Sequence, residues 1–257
     1  MTTLALTHAP SPKMDQCQLT YVERASINYP RAGRQHEEYC RMLQRLGTEV
    51  RVLDVNCALP DCCFIEDTAI VLDEVAVLAS MGTESRRAEP DGIEPELRKY
   101  RAVQRIEPPA TIEGGDVLQV GQTLLIGLSC RTNHAGVNAL ETIVRPYGYT
   151  VKPVPVRDCL HLKTACTALP DHRLLVNPAW LELAALRDFE WVQVPDSEPL
   201  AADVALVDST VCVATAHPAT AQMIRDFGFV VETIDLSEFA KAEGGVTCLS
   251  ILMRRGR

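Results

Sequence analysis

Two side chains in the sequence are suited to covalent chemistry, a cysteine and a histidine. Cys248 follows the glycine pair in "AKAEGGVTCLSILM" (240–253), and His161 lies in "CLHLKTAC". A cysteine attacks as its thiolate and needs a cationic or basic neighbour, which His161 could supply as general acid and base. A structural role for each stays open, because cysteines are usually buried core residues and His161 could be a hydrogen-bonded core histidine.

Acidic side chains stand beside two apolar segments, where an unpaired carboxylate is costly. The segments are "PDCCFIEDTAIV" (60–71) and "IEGGDVLQV" (112–120). Their acids are Asp61, Glu66, Asp67, Glu113 and Asp116. Such acids indicate a cation-binding pocket, although Asp61 and Asp116 could simply cap turns. Gly114–Gly115 is not a phosphate loop, because it lacks the Lys-Ser/Thr of a P-loop and the spacing of a dinucleotide-binding turn.

Two arginines each follow the second strand of a predicted hairpin. Arg86 lies in "MGTESRRAEP" and Arg131 in "GLSCRTN". From there they could hold a carboxylate bidentately, although surface arginines are common. Acids at one end of a pocket and arginines at the other suit a small molecule with a cationic group and a carboxylate, such as an amino acid like arginine.

A recurring unit must position these residues, and it consists of an apolar strand, a tight polar turn and a second apolar strand. The five copies start 38 to 49 residues apart. They are "TAIVLDEVAVLAS" from Thr68, "GDVLQVGQTLLIG" from Gly115, "TACTALPDHRLLVNP" from Thr164, "ADVALVDSTVCVATA" from Ala202 and "GVTCLSILMRR" from Gly245, the last completed by "TLALTHAPS". Helices are predicted at 29–47, 132–148 and 217–229, and further strands at 49–54 and 229–235.

A strand–strand–helix–strand unit at this period predicts an α/β propeller, since repeats of about 20 to 50 residues are typical of solenoids and propellers. A generic α/β domain whose hairpins resemble one another is also possible. Each copy carries an ionisable residue just before or at the start of its first strand. These are Glu66 and Asp67, Glu113 and Asp116, His161, Asp203, and Cys248. In a closed ring, equivalent positions converge on the axis.

Composition limits the classes of partner. The chain has 257 residues, 47% of them hydrophobic and 23% charged, which suits one domain over residues 1–257 or two small ones. A formal net charge of −9 argues against nucleic acid, because no basic block is available to neutralise phosphates. A small cationic ligand fits this charge better.

The ten cysteines and the hydropathy pattern indicate a reducing compartment. No stretch approaches the roughly 20 apolar residues of a membrane span, and the first residues lack the pattern of a secretory signal. We therefore expect a cytoplasmic protein with reduced thiols and no membrane partner. The sequence has no C-x-x-C and no Cys/His spacing typical of a zinc site, so no structural metal is expected.

Five ordered motifs resemble those of the dimethylarginine dimethylaminohydrolases, a family of the guanidine-modifying superfamily. They are "QLT" near residue 18, "PDCCFIED" with "GTESRR", "IEGGDVL" with "GLSCRTN", "LHLKTAC", and "EGGVTCLS". The resemblance spans nearly the whole chain. It implies a five-bladed, pseudo-symmetric α/β propeller, the pentein fold.

The resemblance also implies a role for each matched residue. Cys248 would be the nucleophile, His161 the general acid and base, and Glu113 the carboxylate that holds the guanidinium or orients water. Asp67 would bind the guanidinium nitrogens. The α-amino group would meet Asp61 and the backbone of Leu19, under a lid formed by the segment around Leu19, and Arg86 and Arg131 would hold the α-carboxylate. Glu66 and Asp116 complete the expected substrate-binding set.

The implied reaction converts dimethyl- or monomethylarginine to citrulline and an alkylamine through a covalent thiouronium on Cys248, without a metal or an organic cofactor. A hydrolase of another arginine derivative such as N-hydroxyarginine could share every one of these residues. Two further hypotheses are a non-catalytic propeller that binds a partner through its surface and an unrelated thiol enzyme such as an amidase. A homodimer also stays open.

Overall fold

The computed structural model describes residues 3–255, and within this range fifteen strands form five three-stranded sheets. The strands are β1 (Thr3–His8), β2 (Glu49–Leu53), β3 (Ala69–Val71), β4 (Val75–Leu78), β5 (Ala102–Arg105), β6 (Val117–Val120), β7 (Thr123–Leu128), β8 (Thr150–Pro155), β9 (Cys166–Ala168), β10 (Leu174–Val176), β11 (Trp191–Gln193), β12 (Ala205–Val207), β13 (Thr210–Ala214), β14 (Val230–Ile234) and β15 (Ser250–Arg254).

Every sheet has the same arrangement. Its first strand pairs antiparallel with the middle strand, and the middle strand pairs parallel with the third. Four sheets use consecutive strands, in the orders β3-β4-β5, β6-β7-β8, β9-β10-β11 and β12-β13-β14. The fifth has the order β15-β1-β2, so strands from opposite ends of the described range pair with each other. All five predicted copies of the repeat coincide with these sheets.

Six α-helices lie within residues 3–255. They are α1 (Tyr29–Arg45), α2 (Glu89–Leu97), α3 (His134–Val144), α4 (Leu162–Ala165), α5 (Pro218–Asp226) and α6 (Ser237–Ala240). Four of these helices lie in parallel crossovers within a sheet, while α4 and α6 connect one sheet to the next. The three predicted helices correspond to α1, α3 and α5. In the third sheet the prediction is wrong, because between β10 and β11 the described chain has only short 3-10 turns at Pro178–Trp180 and Leu183–Leu186.

Local sequence explains where α1 begins and how it packs. The side chain of Asn28 caps the helix by accepting the N–H of Arg31 at 3.0 Å, and Pro30 occupies the first turn, where a missing N–H is harmless. Tyr39 and Leu43, four residues apart on one face, are fully buried. This helix therefore covers the fifth sheet, whose first strand follows Cys248.

The hairpin turns fall where the sequence predicts a tight polar turn between the two apolar strands of each copy. Asp171, His172 and Asp208 adopt positive φ angles of 61°, 59° and 51°, which is the backbone conformation that two-residue hairpins require. Apolar side chains from the strands fill five separate core clusters. Between residues 3 and 255, no helix has the length and apolar composition needed to cross a membrane.

Candidate active site

The repeat places one ionisable residue before the first strand of each sheet. Asp67 precedes β3, Glu113 precedes β6, His161 precedes α4 and β9, Asp203 precedes β12, and Cys248 precedes β15. The structure brings these positions into one chain of contacts. His161 links Glu113 to Asp67, and the backbone carbonyl of Cys248 accepts the N–H of Glu66 at 3.3 Å.

His161 is buried between carboxylates. Its Nε2 donates to Oε2 of Glu113 at 2.8 Å, and its Nδ1 lies 3.7 Å from Oδ1 of Asp67. Burial opposes the charged ring, but the anions of Asp67, Asp116 and Glu113 outweigh burial and raise the pKa of His161 to about 9. The imidazole is therefore protonated at neutral pH and can act as an acid.

Glu113 is fully buried and its oxygens are all engaged. Oε1 accepts the backbone N–H of Gly82 at 2.9 Å, and Oε2 lies between His161 and Nη1 of Arg131, 3.5 Å away. Burial acts to raise the pKa of Glu113, yet the hydrogen bond from His161 prevails and holds it below its usual value. Glu113 is therefore an anion that fixes the orientation of the imidazole.

Cys248 is half-buried and carries a neutral thiol. Burial raises its pKa well above the usual range, and the anions of Asp203, Glu66 and Asp67 raise it further. The N–H of Gly245 donates to Sγ at 3.3 Å, and Sγ lies 4.0 Å from Oδ2 of Asp203. A cation placed next to this thiol would counter the surrounding anions and favour the thiolate.

Asp67 lies between a glycine and an arginine. Its Oδ1 accepts the N–H of Gly115 at 3.1 Å, and its Oδ2 accepts Nη1 of Arg86 at 2.7 Å. A Cβ on Gly115 would lie 2.6 Å from Nδ1 of His161 and 2.7 Å from Oδ1 of Asp67, so only glycine permits this approach. The glycine pair before β6 thus makes room for the histidine and the acid.

Arg86 has different surroundings from those predicted. It is buried, its Nε and Nη2 donate to the carboxylate of Glu89, and Nη2 also donates to the carbonyl of Phe64 at 3.1 Å. With Asp67 on Nη1, the guanidinium already has two anionic partners. Binding a substrate carboxylate would require Arg86 to change these contacts, whereas holding Asp67 in place requires no change.

Arg131 has weaker partners. Its Nη2 donates to Oγ1 of Thr20 at 3.2 Å, Nη1 donates to Oγ1 of Thr83 at 3.4 Å, and Glu113 is 3.5 Å away. Two of these three acceptors are neutral hydroxyls, and Thr20 directly follows Leu19. Arg131 is thus better placed than Arg86 to receive an anionic group.

Asp61 and Leu19 both contact Gln18, which begins residues 18–28, called here the lid segment because the family resemblance predicts a lid around Leu19. Both oxygens of Asp61 accept the N–H of Gln18, at 3.1 and 3.2 Å, and burial raises the pKa of this carboxyl. The half-buried Leu19 accepts Nε2 of Gln18 on its carbonyl at 3.3 Å. The two predicted α-amino ligands therefore lie at neighbouring positions.

Glu66 faces a lysine that the sequence motifs do not single out. Nζ of Lys163 donates to Oε1 of Glu66 at 2.6 Å and to the carbonyl of Gly114 at 3.1 Å. Oε2 of Glu66 is buried, and no hydrogen-bond partner for it lies within residues 3–255. Burial raises the pKa of Glu66 despite Lys163. The signal for Lys163 is its place two residues after His161, on the first turn of α4.

The expected contact between Asp116 and substrate does not fit its position. Asp116 is fully buried, its Oδ1 accepts the N–H of Leu162 at 2.9 Å, and its Oδ2 accepts the hydroxyl of Ser129 at 2.6 Å. Both oxygens are used in fixing backbone beside His161 and Arg131. Asp116 therefore supports the site from behind.

Glu243, which no sequence motif singles out, fastens the lid segment. Its carboxylate accepts the backbone N–H groups of Thr20 and Val22, each at 2.9 Å, and that of Tyr21 between them. Three successive amides around one carboxylate form an anion-binding nest. The lid segment is thus tied to the residue that precedes the glycine pair before Cys248.

Asp67, Glu113 and His161 form a group that could in principle hold a metal ion. Their ligand atoms lie within 4.8 Å of one another. A metal would have to displace the proton of His161 and compete with the guanidinium groups of Arg86 and Arg131 for the two carboxylates. The donor set is better suited to an ion-pair network.

Known proteins resemble this chain over most of its length. A family model described as "N,N dimethylarginine dimethylhydrolase, eukaryotic" matches residues 7–172. An N(G),N(G)-dimethylarginine dimethylaminohydrolase of Streptomyces coelicolor is 37% identical over 251 residues, covering 97% of this chain and 96% of the relative.

Solved structures show the same likeness. The dimethylarginine dimethylaminohydrolase of Pseudomonas aeruginosa, a Cys-to-Ser variant complexed with citrulline, superposes with a TM-score of 0.93 at 30% identity, covering 98% of this chain and all of that one. A dimethylarginine dimethylaminohydrolase with a His-to-Gly replacement, an adduct with S-methyl-L-thiocitrulline, gives the same score, identity and coverage.

Proposed function

The chain belongs to the dimethylarginine dimethylaminohydrolase family, and from this premise we propose that it hydrolyses Nω-substituted L-arginine, dimethyl or monomethyl, to L-citrulline and an alkylamine. It is a hydrolase of a guanidino carbon–nitrogen bond. The observation that carries the proposal is the buried contact of His161 with Glu113 and Asp67, two carboxylates of which Asp67 also acts electrostatically on the Cys248 thiol and raises its pKa.

Electrostatics explain how this arrangement could attack a poor electrophile. The positive charge of a guanidinium is delocalised, so its carbon reacts only when the planar group is fixed and a thiolate lies above its face. Asp67 and Glu113 would fix the group, and Glu66 adds negative charge beside them. The bound cation lowers the pKa of Cys248, so the nucleophile forms when substrate is present.

His161 serves both halves of the reaction. As an imidazolium it protonates the departing amine while the Cys248 thiolate forms the carbon–sulfur bond, which leaves a thiouronium. As a neutral imidazole it then takes a proton from water, which attacks the same carbon and releases citrulline. Glu113 holds the ring for both steps.

The remaining predicted residues bind the α-amino and α-carboxylate groups of the substrate. Asp61 and the carbonyl of Leu19 bind the α-amino group, and Arg131 binds the carboxylate. Arg86 joins Arg131 only if it loosens its contact with Glu89, so its main task is to hold Asp67. The weak hydroxyl contacts of Arg131 support this division.

We further propose that the five sheets are the blades of one α/β propeller, a single catalytic domain over residues 1–257, of which the first two and last two lie outside the described range. The support is the shared strand order, the contacts of β3 with β15 and of β9 with both β6 and β12, and a cavity of about 830 Å³. Residues of the hairpin turns, together with Thr3 and Arg254, line that cavity.

A small cationic amino acid is the partner we propose, in the cytoplasm and without nucleic acid or membrane. The net charge of −9 supports this choice. A homodimer remains open beside a monomer.

Citrulline formation tests the proposed function. The assay compares the parent protein, Cys248→Ser and the control Cys57→Ser, which also replaces a half-buried cysteine. Each protein is given four compounds in turn: asymmetric dimethylarginine, monomethylarginine, arginine and N-hydroxyarginine. We expect turnover of the methylated arginines by the parent and the control, and none by Cys248→Ser. Turnover of N-hydroxyarginine alone would favour the related hydrolase, and no turnover at all would favour a non-catalytic propeller.

A further inference from the structure

The proposed reaction leaves one proton without a destination. The thiol of Cys248 must lose its proton before it attacks, and a histidine is the usual acceptor. His161 cannot accept it, because the ring is already protonated and hydrogen-bonded to Glu113. Another group near Sγ must therefore take the proton.

Within residues 3–255, Asp203 provides a carboxylate acceptor within hydrogen-bond reach of Sγ. Its Oδ2 lies 4.0 Å from Sγ of Cys248 in a geometry that lets the thiol donate, and its Oδ1 is fixed by the N–H of Thr247 at 3.0 Å. A Cβ on Gly245 would lie 2.0 Å from Oδ2, so the chain crosses this carboxylate where it has no side chain. Gly245 thus makes room for Asp203 beside the thiol.

We propose that Asp203 is the catalytic base that accepts the proton of the Cys248 thiol. The inference rests on the proposed function, since it needs Cys248 to be the nucleophile. Asp203 acts on the reacting sulfur, which it faces directly. Contacts that join catalytic groups are often long in a free enzyme and tighten when substrate binds.

Atoms and charges balance in this scheme. The S–H bond of Cys248 breaks as an O–H bond forms on Asp203, and the thiolate bonds to the guanidinium carbon. His161 gives its proton to the amine nitrogen as the C–N bond breaks, leaving a thiouronium. Water then attacks and passes a proton to His161, the C–S bond breaks, and the proton on Asp203 returns to sulfur. The proton of the new hydroxyl passes to solvent, where the released amine takes up a proton to become an ammonium ion.

The charged groups around Asp203 suit an acceptor that works near neutral pH. Glu66 and Lys163 face Asp203, and Glu66 and Asp67 face the thiol. Burial raises the pKa of Asp203 to about 7, with the Thr247 N–H acting against it and Glu66 adding to it. An acceptor with a pKa near the working pH is both ionised and basic enough for proton transfer.

The test compares two measurements on Asp203→Asn, which keeps the shape of the side chain but is a far weaker proton acceptor. One is the rate at which iodoacetamide alkylates Cys248 at neutral pH, followed by mass spectrometry. The other is kcat for citrulline formation. The control is Asp208→Asn, which removes an exposed carboxylate from the turn between β12 and β13.

We expect the two measurements to move in opposite directions. Alkylation speeds up, because removing an anion beside sulfur lowers the pKa of the thiol, while kcat falls roughly a hundredfold or more because the base is gone. Turnover within threefold of the parent overturns the proposal and reduces Asp203 to an electrostatic neighbour. A loss of turnover without faster alkylation overturns it too, since that result indicates a displaced thiol.

A second measurement needs no variant and decides the matter if Asp203→Asn does not fold. In the unaltered protein kcat/KM must decline below about pH 7, as Asp203 becomes protonated. A value that stays level from about pH 5.5 to pH 8 contradicts the proposal. If the unaltered protein makes no citrulline from any substrate, it is the proposed function that fails, not the assignment of Asp203 alone.

Discussion

The protonation state of His161 depends on three buried carboxylates, and this dependence can be measured. Above a pH of about 9 the ring loses its proton, so kcat/KM should decline there. Glu113→Gln keeps an oxygen for the N–H of Gly82 but removes one anion. The pKa of His161 then falls, and activity at pH 8 should drop roughly tenfold to a thousandfold.

The pH profile of kcat/KM checks this prediction, with the alkaline limb of Glu113→Gln displaced to lower pH. Glu84→Gln, an exposed acid in the same region, serves as the control and should leave the limb in place. An unchanged alkaline limb in Glu113→Gln would mean that the anion of Glu113 does not set the charge of the ring.

The two arginines should respond differently to removal. Arg86→Met leaves Asp67 and Glu89 buried without their cation, which typically costs about 3–5 kcal/mol of stability. Arg131→Met leaves two hydroxyls and the more distant Glu113, so we expect KM to rise roughly tenfold or more with a smaller loss of stability. Thermal unfolding and steady-state kinetics separate the two cases. Equal thermal losses would contradict the division of roles.

At the scale of elements, the lid segment is held near its start and near its end. Glu243 binds the amides of Thr20, Tyr21 and Val22, and beyond them Nζ of Lys241 donates to the carbonyl of Ser26 at 3.0 Å. None of these contacts involves the reacting groups. Loosening the lid should therefore affect binding more than chemistry.

Glu243→Gln tests that expectation. An amide oxygen accepts these backbone N–H groups more weakly than a carboxylate, so KM should rise roughly tenfold while kcat changes little. Hydrogen exchange at Thr20–Val22 should become faster. The control Glu23→Gln removes an exposed carboxylate from the lid segment itself. An equal change in the control, or a fall in kcat alone, would count against a lid held by Glu243.

At the scale of the whole molecule, buried groups with raised pKa values make stability depend on pH. A group whose pKa is higher in the folded state stabilises the fold below its unfolded pKa and loses that contribution as pH rises through the folded value. For Asp203 this window runs from about 4 to about 7, and for His161 from 6.5 to about 9. The contributions of Asp203 and His161 to the free energy of unfolding should therefore decline as pH rises across these windows.

Asp203→Asn isolates one part of this dependence. The variant cannot ionise at this position, so its free energy of unfolding relative to that of the parent should increase between pH 4 and pH 8 by an amount on the order of 4 kcal/mol. Its melting temperature should rise relative to that of the parent over the same range. Thermal unfolding of both proteins across this range provides the comparison. If the stabilities of the parent and the variant changed in parallel with pH, Asp203 would have an ordinary pKa in the folded protein.

The sequence predicts the repeat and the family well because both depend on short local patterns. Polar pairs such as Asp208–Ser209 between apolar runs form hairpins whatever surrounds them, and all five predicted copies are sheets in the structure. The helix missing between β10 and β11 shows the limit. That crossover is formed by short turns, and no local signal separates it from the crossovers that contain helices.

The residues that a side chain contacts are harder to predict from the sequence than the place of that side chain in the repeat. Asp203 is recognisable from the repeat as the ionisable residue of the fourth copy, but its contact with Cys248 joins two different blades of the proposed propeller. Arg86 is expected from its motif to face the substrate, and its pairing with Glu89 depends on how α2 turns back over Asp67. Glu243 and the lid segment lie at opposite ends of the sequence. Tertiary packing determines which of these side chains contact each other, and a single sequence does not reveal that packing.

The pairing of β1 with β15 has a consequence for the order in which the protein is made. Residues 3–8 are synthesised before residues 250–254, so β1 and β2 cannot complete their sheet until β15 has been made. Contacts between such distant segments form late, because closing a long loop is slow. A nascent chain can therefore assemble four sheets with His161 and Glu113 in place while the segment that carries Cys248 is still unfolded, so enzymatic competence requires the fifth sheet to close.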